Sequence, residues 1–155
     1  MKRKKLTVAL VAHDNMKKEL AEWVDFNWEA LFDHHLICTG TTGRIVEKTL
    51  TARRREFDEQ TADITLLKSG PLGGDQQLGA RISEGRIDVL IFFWDPMQAQ
   101  PHDVDVKALL RLATLYNVPT AVNRSSADFI ISSPLFDNGY DRTVRDYTDY
   151  IERVL

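Results

Sequence analysis

The chain holds a single cysteine, Cys38, among its 155 residues. An internal disulfide is therefore excluded, and the composition suits a reducing cytoplasm. An excess of charge of one sign is also missing. The formal net charge is −3, which leaves no broad basic surface to neutralise nucleic-acid phosphates. Long apolar runs are absent. VLIFFW, residues 89–94, falls far short of the roughly 20 residues a membrane helix needs. The opening MKRKKLTVALVAHDN joins a basic stretch to an apolar one, residues 6–12. That run is short for a secretory signal and meets His13 and Asp14 directly, so it reads as a buried strand behind a basic tail. No internal repeat, low-complexity tract or linker interrupts the sequence. Neither the lysine-bearing phosphate loop of nucleotide triphosphatases nor a G-x-G-x-x-G turn is present, which disfavours a nucleotide triphosphate or dinucleotide. His13, His102 and the acids lack metal-ligand spacing, so no metal is expected.

What is present is a globular composition, 43% hydrophobic and 28% charged, at a length that suits one domain spanning residues 1–155. LTVALVA is a near-continuous apolar run of the kind found in a central parallel strand. NMKKELAEWVDFN places Met16, Leu20, Trp23 and Val24 at helical spacing, with Asp14 a candidate cap. HLICT is a second strand, and residues 43–53 a second helix. The charged tract of residues 53–63 reads as a surface excursion. ITLLK and DQQLGARISE follow as strand and helix, then DVLIFFW as the most buried strand. DVKALLRLATLYN is the fourth helix, its off-face Leu112 and Leu115 suggesting a subunit contact. NVPTAVN is a fifth strand and SADFIIS a short helix. Val144, Tyr147, Ile151 and Val154 mark a closing helix. Alternating strands and helices predict an α/β, doubly wound domain with a five-stranded, mainly parallel sheet and helices on both faces.

In such sheets ligands bind at the carboxyl ends of the strands. TGTTG, residues 39–43, follows the second strand and offers backbone N–H groups and hydroxyls at a helix start. It suits either a phosphate or a plain turn with a threonine cap. SGP, residues 69–71, offers a second set of donors. Asp75 follows Gly73 and Gly74 at the start of a helix, as an N-cap or as a general base on a rigid element. Asp14 and Asp105 carry the same ambiguity. His102, between Pro101 and a helix, resembles a neutral imidazole able to donate to a carbonyl oxygen, and His13 lies at a neighbouring strand end. His34 and His35 fall at the opposite end and are set aside. An anion cradle, carboxylates and an imidazole are the parts needed to abstract a proton beside the carbonyl of a small phosphorylated compound.

Taken in order, VAHDN, CTGTTG, SGPLGGDQQLGA, EGRIDVLIFFWDP and PHDVDVKALLRLA resemble the methylglyoxal synthase family, from about residue 8 to residue 133. The resemblance implies conversion of dihydroxyacetone phosphate to methylglyoxal and inorganic phosphate through an enediolate, with neither metal nor organic cofactor, by a cytoplasmic homohexamer. It implies Asp75 as catalytic base and His102 as electrophile touching substrate, with Asp105 a further catalytic residue in the polar network around it. The phosphate would be held by Thr39, Gly40, Thr41, Thr42, Ser69 and Gly70, helped by Lys17. His13 would touch substrate, with Asp14 and Asp95 arranging the polar network. Two regions depart from the pattern: residues 53–63, and the chain beyond about residue 134, where Arg153 is a candidate basic residue for a neighbouring subunit's site. A regulatory phosphate- or nucleotide-binding domain of the same fold is the alternative, but it has no use for Asp75, His102 and Asp105 together. A phosphoacceptor receiver domain needs an acidic pair after the first strand, and this chain has His13 and Asp14.

Overall fold

The computed structural model describes residues 4–57, 61–98 and 103–154. In chain order the elements are β1 (Thr7–Ala12), α1 (Lys17–Phe26), α2 (Trp28–Phe32), β2 (His35–Thr39), α3 (Gly40–Phe57), β3 (Asp63–Leu67) and α4 (Gly74–Ser83). They continue with β4 (Val89–Phe93), α5 (Asp103–Leu115), β5 (Thr120–Ala121), α6 (Arg124–Ile131), α7 (Pro134–Asn138) and α8 (Thr148–Ile151). The strands form one five-stranded sheet in the order β3-β2-β1-β4-β5, and every strand pair is parallel. The expected doubly wound α/β fold is therefore present.

Side-chain alternation along the strands divides the core into two layers. Val8, Leu10 and Ala12 of β1, with Val89, Ile91 and Phe93 of β4, pack under α1, α2, α3, α6 and α7. Ala9, Val11, Leu90 and Phe92 point the other way, against Leu78 and Ile82 of α4 and Val106, Leu109 and Ala113 of α5. Because both faces are covered, the strands read as continuous apolar runs. Each fully buried side chain such as Leu10 or Phe93 contributes about 1.5–3 kcal/mol. The indole of Trp23, also buried, donates to Asp128 Oδ1 at 2.9 Å, so that its burial leaves no unsatisfied donor. Among the described residues no helix is long and apolar enough to cross a membrane.

Several local expectations are corrected. The second helix begins at Gly40 rather than residue 43 and runs to Phe57, so much of the charged tract is helical; its residues 58–60 lie outside the described residues. Leu112 packs against the buried layer under α5, within 3.2 Å of where a Cβ on Gly79 would stand. Part of its surface is therefore covered by the chain's own core, and part is left open. The closing helix shrinks to Thr148–Ile151. Ahead of it the chain is held as a strap: Asn117 Nδ2 donates to Thr143 O at 2.9 Å, Arg142 Nε to Tyr116 O at 3.1 Å and Tyr147 Oη to Leu115 O at 3.0 Å. Ile151 and Val154 are largely exposed. Their helical spacing had no core to bury against, and propensity alone does not sustain so short a helix.

The sheet order reverses between β1 and β4, since the chain first builds outward through β2 and β3 and then returns to β4. At the carboxyl edge the loops after β2 and β3 are pressed together. A Cβ on Gly40 would stand 2.6 Å from the Cα of Ser69, and one on Gly74 only 1.9 Å from the carbonyl oxygen of Lys68. Gly74→Ala should therefore lower stability by at least the upper part of the about 1–3 kcal/mol typical of overpacking. Gly79→Ala, which meets only a leucine methyl, should change it by less than about 1 kcal/mol. Urea denaturation of both variants tests this, and equal midpoints would show that the β3–α4 junction can relax.

Candidate active site

Three loops and the end of β4 enclose a cavity of about 350 Å³ at the carboxyl edge of the sheet. From β1 come His13, Asp14 and Lys17; from β2, Thr39, Gly40, Thr41 and Thr42; from β3, Ser69, Gly70 and Asp75; Phe92 and Gln98 close the fourth side. The structure thus gathers ten of the predicted site residues around one space.

The part suited to an anion is the first turn of α3. TGTTG is not a loop ahead of a helix: the helix starts at Gly40, whose φ of +48° is left-handed and open to glycine. Gly40 N donates to Lys68 O at 3.1 Å, which ties the β2 end to the β3 end. The next N–H groups, of Thr41, Thr42 and Gly43, fall in the first turn and have no carbonyl of their own helix to meet. They face the positive end of an 18-residue helix, where a phosphate is favoured. The hydroxyls divide. Thr42 Oγ1 donates to Ala12 O at 3.3 Å and Thr39 is buried, so these two hold the turn in place. Thr41 is exposed and its hydroxyl meets the Lys17 ammonium.

Lys17 also hydrogen-bonds Asp14. That bond, and then the lysine's charge, hold the Asp14 carboxyl below its ordinary range. The expected cap is absent: Asp14 lies in a 3-10 turn, Asp14–Met16, and spends its side chain on Lys17.

Asp75 lies within the first turn of α4, where the N-cap is Gly73 and no side chain caps the helix. Asp75 is therefore not the N-cap residue of this helix. A Cβ on Gly70 would stand 3.0 Å from Asp75 Oδ2 and 3.3 Å from Oδ1, so the carboxylate lies flat against a glycine on the cavity wall. Its two neighbours fix the helix start. Gln77 Oε1 accepts the N–H of Lys68 at 2.9 Å, and Gln76 Nε2 donates to Asp105 Oδ1 at 3.0 Å. Asp105 is not among the described residues that line this cavity. It lines an adjoining groove between α4 and α5 that also includes Asp75.

His13 lines the cavity with its ring edge-on to Phe92, centroids 5.2 Å apart, and its Nδ1 accepts the N–H of Asp95 at 3.1 Å. Asp95 is buried behind that histidine rather than in the cavity wall. Its Oδ2 accepts from Asn15 Nδ2 at 2.9 Å and its Oδ1 from Met97 N at 3.0 Å. These bonds, that from Asn15 foremost, hold its carboxyl below the usual range. His102 lies outside the described residues. Arg153 stacks on the ring of Tyr150, 3.8 Å from its centroid, and is not part of the cavity wall. His34 and His35 have structural partners: His34 Nδ1 accepts from Leu6 N at 3.1 Å, and His35 pairs with Asp63 at 2.9 Å. Sequence reasoning missed Asn15, Gln76 and Gln98, although the first two lie inside the motifs VAHDN and GGDQQ.

A carboxyl whose folded pKa is depressed adds stability above its unfolded value and loses it as pH falls through the folded one. Asp95→Asn should therefore destabilise the protein at neutral pH, and the gap from wild type should close below the ordinary value of 3.8. Thermal melts at stepped pH would check this; a gap that persists unchanged at the acid end would assign the loss to packing.

Comparison with known proteins places this geometry. The family model for the MGS-like domain matches residues 19–122. The methylglyoxal synthase of Maridesulfovibrio salexigens is 60% identical over 151 residues, covering 96% of each chain. That of Oleidesulfovibrio alaskensis is 52% identical, covering 95% of this chain and 94% of its own. The crystal structure of methylglyoxal synthase from Elizabethkingia anophelis superposes with a TM-score of 0.85 at 43% identity, covering 100% of this chain and 98% of that one. On these matches, the chain belongs to the methylglyoxal synthase family.

Proposed function

We propose that the protein converts dihydroxyacetone phosphate to methylglyoxal and inorganic phosphate, as a cytoplasmic homo-oligomer, and that Asp75 is its general base. The observation that carries the reading is the placement of the Asp75 carboxylate against Gly70, on the wall of the cavity that the first turn of α3 and Lys17 also line. A cradle for the phosphate and a base for the carbon skeleton then line one cavity, as a small phosphorylated substrate requires.

Bond accounting fixes which proton moves. Loss of a proton from the phosphate-bearing carbon would leave the ester on a vinylic carbon, with no path to elimination. Asp75 therefore takes its proton from the hydroxymethyl carbon. The pair left behind forms a carbon–carbon double bond to the former carbonyl carbon, whose oxygen becomes an enediolate. Charge gathers on that oxygen, where the His13 imidazole is the donor whose position is known; the family resemblance adds His102. The hydroxyl on the terminal carbon then passes its proton to the neighbouring enediolate oxygen and closes to an aldehyde. The double bond shifts one carbon along, the C–O bond to phosphate breaks, and phosphate leaves with that electron pair. The remaining enol tautomerises to methylglyoxal.

Elimination needs the breaking C–O bond perpendicular to the enediolate plane, so that it overlaps the π system. A phosphate gripped by α3 and by Ser69 and Gly70, on a separate loop from the base, can be held out of that plane. Isomerisation through reprotonation is then the slower branch. Asp105, tied to Gln76, braces the start of α4 from behind, and on this reading it supports Asp75 without touching substrate.

A positioned base contributes about 10²–10⁴-fold. Asp75→Asn should lose at least that much turnover while retaining its fold and its affinity for inorganic phosphate. Phosphate release from dihydroxyacetone phosphate, with EDTA present and methylglyoxal trapped in parallel, measures it. Near-normal activity in the variant would falsify the assignment of the base, and unequal yields of phosphate and trapped product would refute the reaction.

A further inference from the structure

The two nitrogens of the His13 ring are set apart by the wall behind it. Nδ1 accepts the backbone N–H of Asp95 at 3.1 Å. A ring nitrogen that accepts carries no proton, so the neutral imidazole holds its proton on Nε2. The N–H that dictates this belongs to the turn after β4, and that turn is wound around the Asp95 side chain. Met97 N donates to Asp95 Oδ1 at 3.0 Å. Asn15 Nδ2 reaches across from the loop after β1 to Oδ2 at 2.9 Å. His13 N donates to Phe93 O at 3.1 Å, which extends the β1–β4 pairing of Ala12 with Phe93. The loops on either side of the point where the sheet order reverses are thus stitched together, and Asn15 supplies the side-chain donor of that seam.

We propose that Asn15 is a positioning residue: by holding Asp95 it fixes His13 as the Nε2–H tautomer, so that His13 meets the substrate oxygen as a neutral hydrogen-bond donor. The chemical argument concerns sign. With its proton on Nδ1 the ring would turn a lone pair toward the oxygen on which negative charge develops, and would repel it. With its proton on Nε2 the ring donates to that oxygen, and the bond strengthens as charge accumulates. Without the Asn15 bond, the Asp95 turn loses its anchor to the β1 loop, the Asp95 N–H drifts from Nδ1, and both tautomers become accessible. The statement about substrate rests on the reaction proposed above; the statement about the tautomer does not.

Both Asp14 and Asp95 lie close enough to interact with a charged His13, and Lys17 stands beside Asp14. The tautomer is therefore best read at about pH 8.5, where an ordinary imidazole is neutral. Long-range ¹⁵N–¹H spectra of the full chain report it, with the His13 ring assigned by its disappearance in His13→Gln. The wild-type ring should show protonated Nε2 and bare Nδ1. Asn15→Leu, which keeps the branched side-chain shape and removes the donor, should show a growing Nδ1–H form. Its kcat should fall by about 10- to 100-fold at nearly constant KM, the pattern of a contact made mainly in the transition state. Asn15→Asp, which sets a second carboxylate against Asp95, should be worse than Asn15→Leu.

A wild-type ring carrying its proton on Nδ1 would overturn the proposal without recourse to any variant. So would a folded Asn15→Leu protein whose kcat falls while its tautomer stays as in wild type, since the residue would then act by another route. A wild-type protein that shows the Nε2–H ring yet turns over no dihydroxyacetone phosphate would support the positioning and refute the reaction instead.

Discussion

The site depends on one backbone approach, that of the loop after β2 to the loop after β3. Gly40 lies so close to Ser69 that no side chain fits between them, and the same residue's N–H donates to Lys68 O. On its other side Lys68 gives its own N–H to Gln77, and its carbonyl oxygen leaves room for nothing larger than Gly74. One residue at the end of β3 therefore joins the starts of α3 and α4. Two helix N-termini are brought side by side, one suited to an anion and the other carrying a carboxylate. Separating them by the thickness of a methyl group would move Asp75 relative to the phosphate cradle, and misplacements of about 1 Å can cost around a hundredfold in rate.

That approach also resolves an electrostatic conflict. A carboxylate in the first turn of a helix is favoured by the macrodipole. The same field from α3 would favour the phosphate of the proposed substrate. The two negative charges would repel if they shared a helix end, but here each has its own. Glycine-rich loops supply the closeness, and the paired helices supply the field; neither does so alone.

Much of this arrangement was legible in the sequence. The strands stood out because both faces of the sheet are covered, and the strand-end loops followed from the α/β order. The residues that failed did so for identifiable reasons. Thr39 to Gly43 looked like a loop because glycine and threonine are poor helix formers. Tertiary docking against Ser69 and Lys68 overrides that preference. Val144, Tyr147, Ile151 and Val154 kept a helical period, yet the segment is pinned instead by bonds to Tyr116, Leu115 and Asn117. Asp14 and Asp75 both looked like caps; one proved to be a lysine's partner and the other a cavity-wall carboxylate. Asn15 carried no signal of its own, because its role depends on a turn about 80 residues away in the chain, a link that only the β1–β4 pairing creates.

An acid beside an anion cradle calls for a reason of its own. Asp14 is exposed and bonded to Lys17, and the bond holds its carboxyl below the ordinary range. As an exposed ion pair it adds little to stability. Its effect falls on the lysine, whose charge it partly answers. On the proposed reaction a phosphate would share Lys17 with Asp14 and so would be held less tightly than by a bare lysine. In the reaction proposed here the phosphate group is both the handle of the substrate and the departing product. Affinity for it that is equal in ground and transition states adds nothing to kcat, and excess affinity slows product release. A counter-ion that moderates the grip serves turnover, while the geometry that matters, the angle of the breaking C–O bond, is left to the rigid N–H groups of α3.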